Sequence, residues 1–148
     1  MSKKKIIILI ISLISFLSLL FIGYFGYKNY IILKTKNEII TTSNNFVRAW
    51  YTYSRQSDSN YLENIKPYMT SSYYEATSYI SLNRPQDFID QPASKIIINK
   101  IYNPIINGNE AKIKANVTQI ESVSNKKTFD MDILLIKENN FWLVSNFN

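Results

Sequence analysis

The distribution of apolar and polar positions divides the chain into three stretches with different periods. From Ile6 to Ile22 no side chain is charged. The polar interruptions are Ser12, Ser15 and Ser18, whose hydroxyls can return to the carbonyls of their own helix. The uncharged run continues through Gly23, Tyr24, Phe25, Gly26 and Tyr27 to Lys28. At about 1.5 Å of rise per residue, a helix of this length crosses the roughly 30 Å hydrocarbon core of a bilayer. Tyr24, Tyr27 and Tyr30 fall where an interfacial aromatic belt is expected. No glycine or proline lies between Tyr27 and Thr42, so the helix is expected to run on. There Ile39, Phe46, Val47, Trp50 and Tyr53 or Ser54 recur at helical spacing, a single aromatic-apolar stripe.

Two shorter helices are expected next. Asp58 or Ser59 can cap one through Tyr61, Leu62 and Ile65, and Pro67 limits its length. Thr70 reads as the N-cap of the other, with Tyr73, Tyr74, Thr77 and Ile80 as its buried stripe. Arg84-Pro85-Gln86 breaks that helix, and the segment to Pro92 reads as a loop.

From Ser94 the period becomes two. "SKIIINKIY" ends before Pro104, Asn107-Gly108 signals a turn, and "AKIKANVTQI" puts Ala111, Ile113, Ala115 and Val117 on one face. After a turn at Ser124-Asn125-Lys126, "TFDMDILLIK" aligns Phe129, Met131, Ile133 and Leu135. Glu138-Asn139-Asn140 turns again, and "FWLVSNF" closes the chain. Four strands joined by short turns predict an antiparallel meander, and helices followed by strands predict an α+β fold with the helices on one face of the sheet. Matching apolar faces sets Ala115 opposite Ile133 and Ile113 opposite Leu135. Across the last turn the expected partners are Ile136 with Trp142 and Leu134 with Val144. Leu134, Ile136, Trp142 and Val144 then form an apolar patch on the face opposite Ile133, Leu135 and Leu143. Strand curvature or the linker helix can cover such a patch, and if it stays exposed it marks a protein–protein contact.

Charge and composition narrow what the opening helix is. A cleaved signal has an apolar region of about 7–15 residues and a small-x-small exit, whereas this run is longer and leaves through Ile22-Gly23-Tyr24-Phe25-Gly26-Tyr27. A retained anchor is the better reading. Lys3, Lys4 and Lys5 abut it, while Lys28, Lys34 and Lys36 are spread out and offset by Glu38, which favours the N-terminus inside. The expected organisation is a cytoplasmic tail at 1–5, a transmembrane helix at 6–27, a helical linker at 28–42 and an external domain at 43–148. The chain has 17 basic and 11 acidic residues, a net charge of +6, and three of those lysines belong to the tail. The remainder is too weakly basic for nucleic acid. Heavy use of Lys, Asn, Ile and Tyr resembles that of AT-rich Gram-positive bacteria.

The chain has no His and no Cys. Imidazole acid–base chemistry, thiol chemistry, zinc sites built on those residues and disulfides are all excluded. Gly23, Gly26 and Gly108 form no phosphate-cradling loop, and the first two are not at Gly-x-x-x-Gly spacing. Asp130 and Asp132 share a strand face, but strand pairing brings no third carboxylate to a hard cation, so a solvated face is expected. Asp87 and Asp90 fit loop caps better than a site. Asn116-Val117-Thr118 matches a glycosylation sequon but lies on a strand. No cofactor or metal is expected. Trp50, Tyr51, Tyr68 and Tyr73, with Tyr53 and Tyr74, are candidates to line a pocket between helices and sheet.

The segments "FVRAWYTYS", "YLENIKPYMTSSYYEAT" and "KENNFWLVSNF" resemble the nuclear transport factor 2-like fold. The resemblance implies a cone in which N-terminal helices lie in a strongly curved, here four-stranded, antiparallel sheet. A single anchor bearing one such domain is similar to the VirB-type and TcpC-type assembly proteins of conjugative type IV secretion. What this implies is a non-catalytic, membrane-anchored scaffold of a conjugation or secretion-type channel in the cytoplasmic membrane. Its partners are then other membrane or channel subunits and the bilayer, with homo-oligomerisation left open and no direct nucleic-acid contact. The alternative is a membrane-anchored small-ligand binding domain using the aromatic pocket.

Overall fold

The computed structural model describes residues 3–51, 58–82, 95–120 and 125–148. The expectations for Tyr53, Ser54, Asp87, Asp90 and the Pro-bounded loop, and for the side chain of Ile80, lie outside the described residues. Helix α1 runs from Lys3 to Tyr51, followed by α2 (Asp58–Ile65), a 3-10 turn (Lys66–Tyr68) and α3 (Ser71–Leu82). Five strands follow: β1 (Lys95–Ile101), β2 (Ile105–Asn107), β3 (Glu110–Ile120), β4 (Lys126–Glu138) and β5 (Phe141–Phe147). By compactness the chain divides into Met1–Thr35 and Lys36–Asn148.

In the first unit, the described apolar side chains from Ile10 to Leu33 are all exposed. Gly23 and Gly26 have nothing within 4 Å of where a Cβ would stand. The helix is long and apolar enough to cross a membrane. With no core of its own, it leaves apolar surface that water does not favour and that lipid accepts.

The second unit is α+β. Its curved antiparallel sheet has the order β1-β3-β4-β5, and short β2 continues the edge beyond β1 by pairing with the start of β3. The four foreseen strands are present. β2 adds a fifth because Pro104 interrupts the edge and Gly108, at φ +59°, starts the turn that sends the chain into β3. A bulge at Asn99 re-aims β1 between Ile98 and Lys100.

One sheet face carries Ala111, Ile113, Ala115, Val117, Met131, Ile133, Leu135, Trp142 and Val144. It packs with Ile39, Phe46 and Val47 of α1 and with Ile65 and Met69 in one buried cluster. Each fully buried large aliphatic or aromatic side chain contributes about 1.5–3 kcal/mol. Thr70 caps α3 as expected, its Oγ1 accepting from Tyr73 N at 3.3 Å. The same residue ties the helices to the sheet, because its N–H donates to Val144 O at 2.9 Å.

The registers differ from expectation in two ways. Between β3 and β4 the pairs are Ile113 with Ile133 and Ala115 with Met131. The shift is an even number of residues, so every side chain keeps its expected face. Between β4 and β5 the shift is odd. Glu138 pairs with Phe141, leaving Asn139 (φ 49°) and Asn140 (φ 68°) as a two-residue turn. Both sit in the left-handed region that the tight hairpin turn requires and that Asn tolerates. Trp142 therefore pairs with Lys137, Val144 with Leu135, and Leu143 with Ile136. Trp142 (4% exposed) and Val144 (0%) face the core, and Leu143 takes the outer face. The proposed patch is thus corrected: Leu134 and Ile136 belong to it, Trp142 and Val144 do not.

Candidate protein-docking face

The site is the sheet face turned away from the helices. Paired residues share a face, so the register fixes its rungs. Nearest the β4–β5 turn come Glu138 and Phe141. The next rung is Asn107, Glu110, Ile136 and Leu143, followed by Ile105, Lys112, Leu134 and Asn146. Beyond these lie Lys114 with Asp132, then Lys100, Asn116 and Asp130.

Two chemistries share this face. The far half is a polar ladder. Asn99 Nδ2 donates to Asn116 Oδ1 and to Thr118 Oγ1, both at 2.9 Å. Asn116 Nδ2 donates to Asp130 Oδ1 at 2.6 Å, and the Thr118 and Thr128 hydroxyls lie 2.8 Å apart. Asp130 and the sequon Asn116 are thereby bonded to each other. Lys112 Nζ stands 2.8 Å from Asp132 Oδ2. That hydrogen bond, with the charges of Lys112 and Lys114, holds the Asp132 carboxyl below its ordinary value. Among the described residues no group of three or more Asp or Glu could hold a metal ion.

The near half is apolar and open. Ile105 is 73% exposed, Phe141 70% and Leu134 39%, with Ile136 and Leu143 half-buried. A groove of about 340 Å³ lies between Ile105, Leu134, Ile136 and Ser145, with Glu110 and Lys112 on its rim. Ile105 was not legible as part of this face because three residues between Pro104 and Gly108 carry no readable period. Phe141 and Leu143 were hidden by the odd register.

The pocket candidates separate. Trp50 stacks edge-on against Phe147 at 4.6 Å between ring centroids and packs on Phe46 at 5.5 Å. Tyr73 approaches Phe147 at 6.4 Å, and Tyr51 lies 6.0 Å from Phe129. These rings fill the space between helices and sheet with one another. Burial raises the Tyr73 hydroxyl above its ordinary value, partly offset by a hydrogen bond from the Phe147 backbone. Tyr68 lines a separate cleft of about 380 Å³ with Asn45, Arg48, Ala49 and Asn64. Tyr74 turns to Glu63, its hydroxyl 3.2 Å from Oε1.

A helical layer on one face of a curved antiparallel sheet, joined to the last strand where Met69 and Thr70 meet Val144, decides the architecture. The fold is nuclear transport factor 2-like. No protein-family model matches the chain, and no curated protein does. Solved structures do. An IcmL-like type IV secretion system protein from Legionella pneumophila superposes with a TM-score of 0.54 at 9% identity, covering 73% of this chain and 86% of that one. CagV, a VirB8 homologue of the type IV secretion system of Helicobacter pylori, gives 0.51 at 16% identity, covering 70% and 89%. TraM, an Ntf2-like potential transfer protein of the Gram-positive conjugative plasmid pIP501, gives 0.50 at 12%, covering 76% and 90%. At these identities the likeness is one of fold.

Proposed function

We propose that the chain is a non-catalytic assembly component of a bacterial conjugation or secretion-type machine. Helix α1 anchors it in the cytoplasmic membrane with the N-terminus inside, and its nuclear transport factor 2-like unit works outside through protein–protein contacts. The observation that carries this is a helical segment whose apolar side chains are exposed from Ile10 to Leu33, on the same chain as a unit shaped like three transfer and secretion proteins. The outer sheet face supplies the contact surface. Leu134, Ile136, Ile105, Leu143 and Phe141 offer apolar area, and the Lys112–Asp132 pair and the polar ladder border it.

The small-ligand alternative receives no such support, since Trp50, Tyr51 and Tyr73 pack on other rings.

The test is removal of the chain from its host. DNA transfer or secretion is expected to fall. The wild-type chain should restore it, and a version with residues 6–27 replaced by a cleavable signal should not. Transfer that continues undiminished without the chain overturns the reading.

A further inference from the structure

The far half of the outer face differs from the apolar half in its charge. Lys112 and Lys114 take successive outward positions along β3. Lys100 stands beside Asn116 on the next rung, and two rungs farther on Lys95 and Lys126 flank Ile120. These five lysines are exposed, and the carboxylates of the same rungs are the two of Asp130 and Asp132, a surplus of three positive charges (five less two). Lys112 is bonded to Asp132, and among the described residues no ion pair takes up the other four. Outward neighbours stand about 6.8 Å apart along a strand and strands about 4.8 Å apart, so the lysines form a track roughly 27 Å long and 10 Å wide. A small anion spans one step of it, whereas a ligand that satisfies the whole track must repeat its charge.

The floor between the lysines is polar and already ordered. Asn99 gives both Nδ2 protons to Asn116 and Thr118, which leaves its Oδ1 to accept. Asp130 uses Oδ1 on Asn116, which leaves Oδ2 to accept. Acceptors beside a row of lysines call for donors on the ligand. The carboxylates of an acidic peptide and the phosphodiesters of a nucleic acid bring none. Nucleic acid also finds no stacking platform, since Lys100 Nζ sits 4.5 Å from the ring centroid of Tyr102, the aromatic residue of this half. Sugar hydroxyls supply donors at every unit. Because the ladder's own bonds hold the floor in place, little side-chain freedom is lost on binding.

We propose that this half-face binds an anionic glycopolymer, a chain of sugars with a repeated negative charge, its charges on the lysines and its hydroxyls on Asn99 and Asp130. The proposal goes beyond the assembly reading. It uses neither the anchor nor the apolar half, and it is decided by binding alone.

The probe is polygalacturonate, offered at low salt to the full-length protein in phosphatidylcholine nanodiscs. Dextran, polyglutamate and a thymidine oligonucleotide serve as comparisons. Polygalacturonate is expected to bind at least about tenfold more tightly than each of these, and more weakly as salt is raised. Lys100→Ala combined with Lys114→Ala should weaken it about tenfold. Lys3→Asn, Lys4→Asn and Lys5→Asn together should leave it unchanged. Asp130→Ala removes an acceptor and a negative charge at once, so it should weaken polygalacturonate and strengthen polyglutamate. If that variant fails to fold, Asn99→Ala removes an acceptor without changing charge, and should weaken polygalacturonate while leaving polyglutamate as it was. Absence of polygalacturonate binding, equal binding of any comparison polymer, or lysine variants without effect each overturn the proposal.

Discussion

Asn139 and Asn140 hold φ 49° and 68° at the tip of the last hairpin, and the two-residue turn they make sets which side of β5 faces the core. An L-residue without a short polar side chain is strained there by roughly 1 kcal/mol, whereas glycine is not. Asn140→Ala is therefore expected to lower stability by about 1 kcal/mol and Asn140→Gly to leave it equal or higher, measured as the unfolding midpoint of the full chain in detergent. Among the described residues, two titrating groups give stability a pH dependence of known sign. The Tyr73 hydroxyl is raised above 10.0, so its neutral form is favoured by folding. Its contribution is complete below pH 10 and is lost as pH climbs through the raised value. The wild type should lose midpoint temperature more steeply than Tyr73→Phe above pH 10. Asp132 has the opposite sign. Its carboxyl is held below 3.8 by Lys112, so its contribution is present above that value and is lost as pH falls through the lowered one. Asp132→Asn should remove that contribution, and since the Asp132 side chain is 27% exposed, added salt should shrink the difference between the two proteins.

At the scale of elements, each helix is fixed to the sheet by a small number of residues. Thr70 both caps α3 and donates its N–H to Val144, but only the side-chain cap is removed by Thr70→Ala. That variant is expected to cost about 1 kcal/mol. Phe46 is fully buried on α1 and packs against Trp50 and Phe147, so Phe46→Ala should cost about 3–5 kcal/mol. A melt showing Phe46→Ala no worse than Thr70→Ala would contradict the packing. These elements were readable because their signals are periodic: Ile39, Phe46 and Val47 share a helical face, and Ala111 to Val117 alternate along a strand. The elements that went unread carry no period. β2 is three residues long, and nothing in Ile105-Ile106-Asn107 separates a strand from a turn. The last hairpin failed for another reason. Glu138-Asn139-Asn140 announces a turn without stating its length, and a change of one residue moves Trp142 and Val144 from the outer face to the core. An even error between β3 and β4 cost nothing in the same sense, which is why Leu134 and Ile136 were placed on the right face.

At the scale of the whole molecule, direction of insertion decides whether the docking face can meet partners outside the cell. The flanking charges are three lysines on each side. Lys3, Lys4 and Lys5 abut the apolar run, whereas Lys28, Lys34 and Lys36 are spaced along the helix beyond it and share that stretch with Glu38. Positive charge close to a span resists translocation, and the proposed orientation has the compact cluster at the N-terminus outweigh the dispersed set. On the proposed topology Lys4→Cys and Phe141→Cys place the only thiol on either side of the span, and Phe141 is exposed enough to react. A membrane-impermeant maleimide is expected to label Phe141→Cys in intact cells and Lys4→Cys only after the membrane is opened. Replacing Lys3, Lys4 and Lys5 with Asn leaves Lys28, Lys34 and Lys36 as the sole flanking bias. That should shift part of the Phe141→Cys population to the protected side, because the retained charges now favour the reverse orientation. Phe141→Cys that is shielded in intact cells and reactive after lysis would put the docking face inside, and the external assembly reading would fall with it. Labelling in intact cells that does not respond to loss of the three lysines would locate the domain outside while refuting flanking charge as the cause.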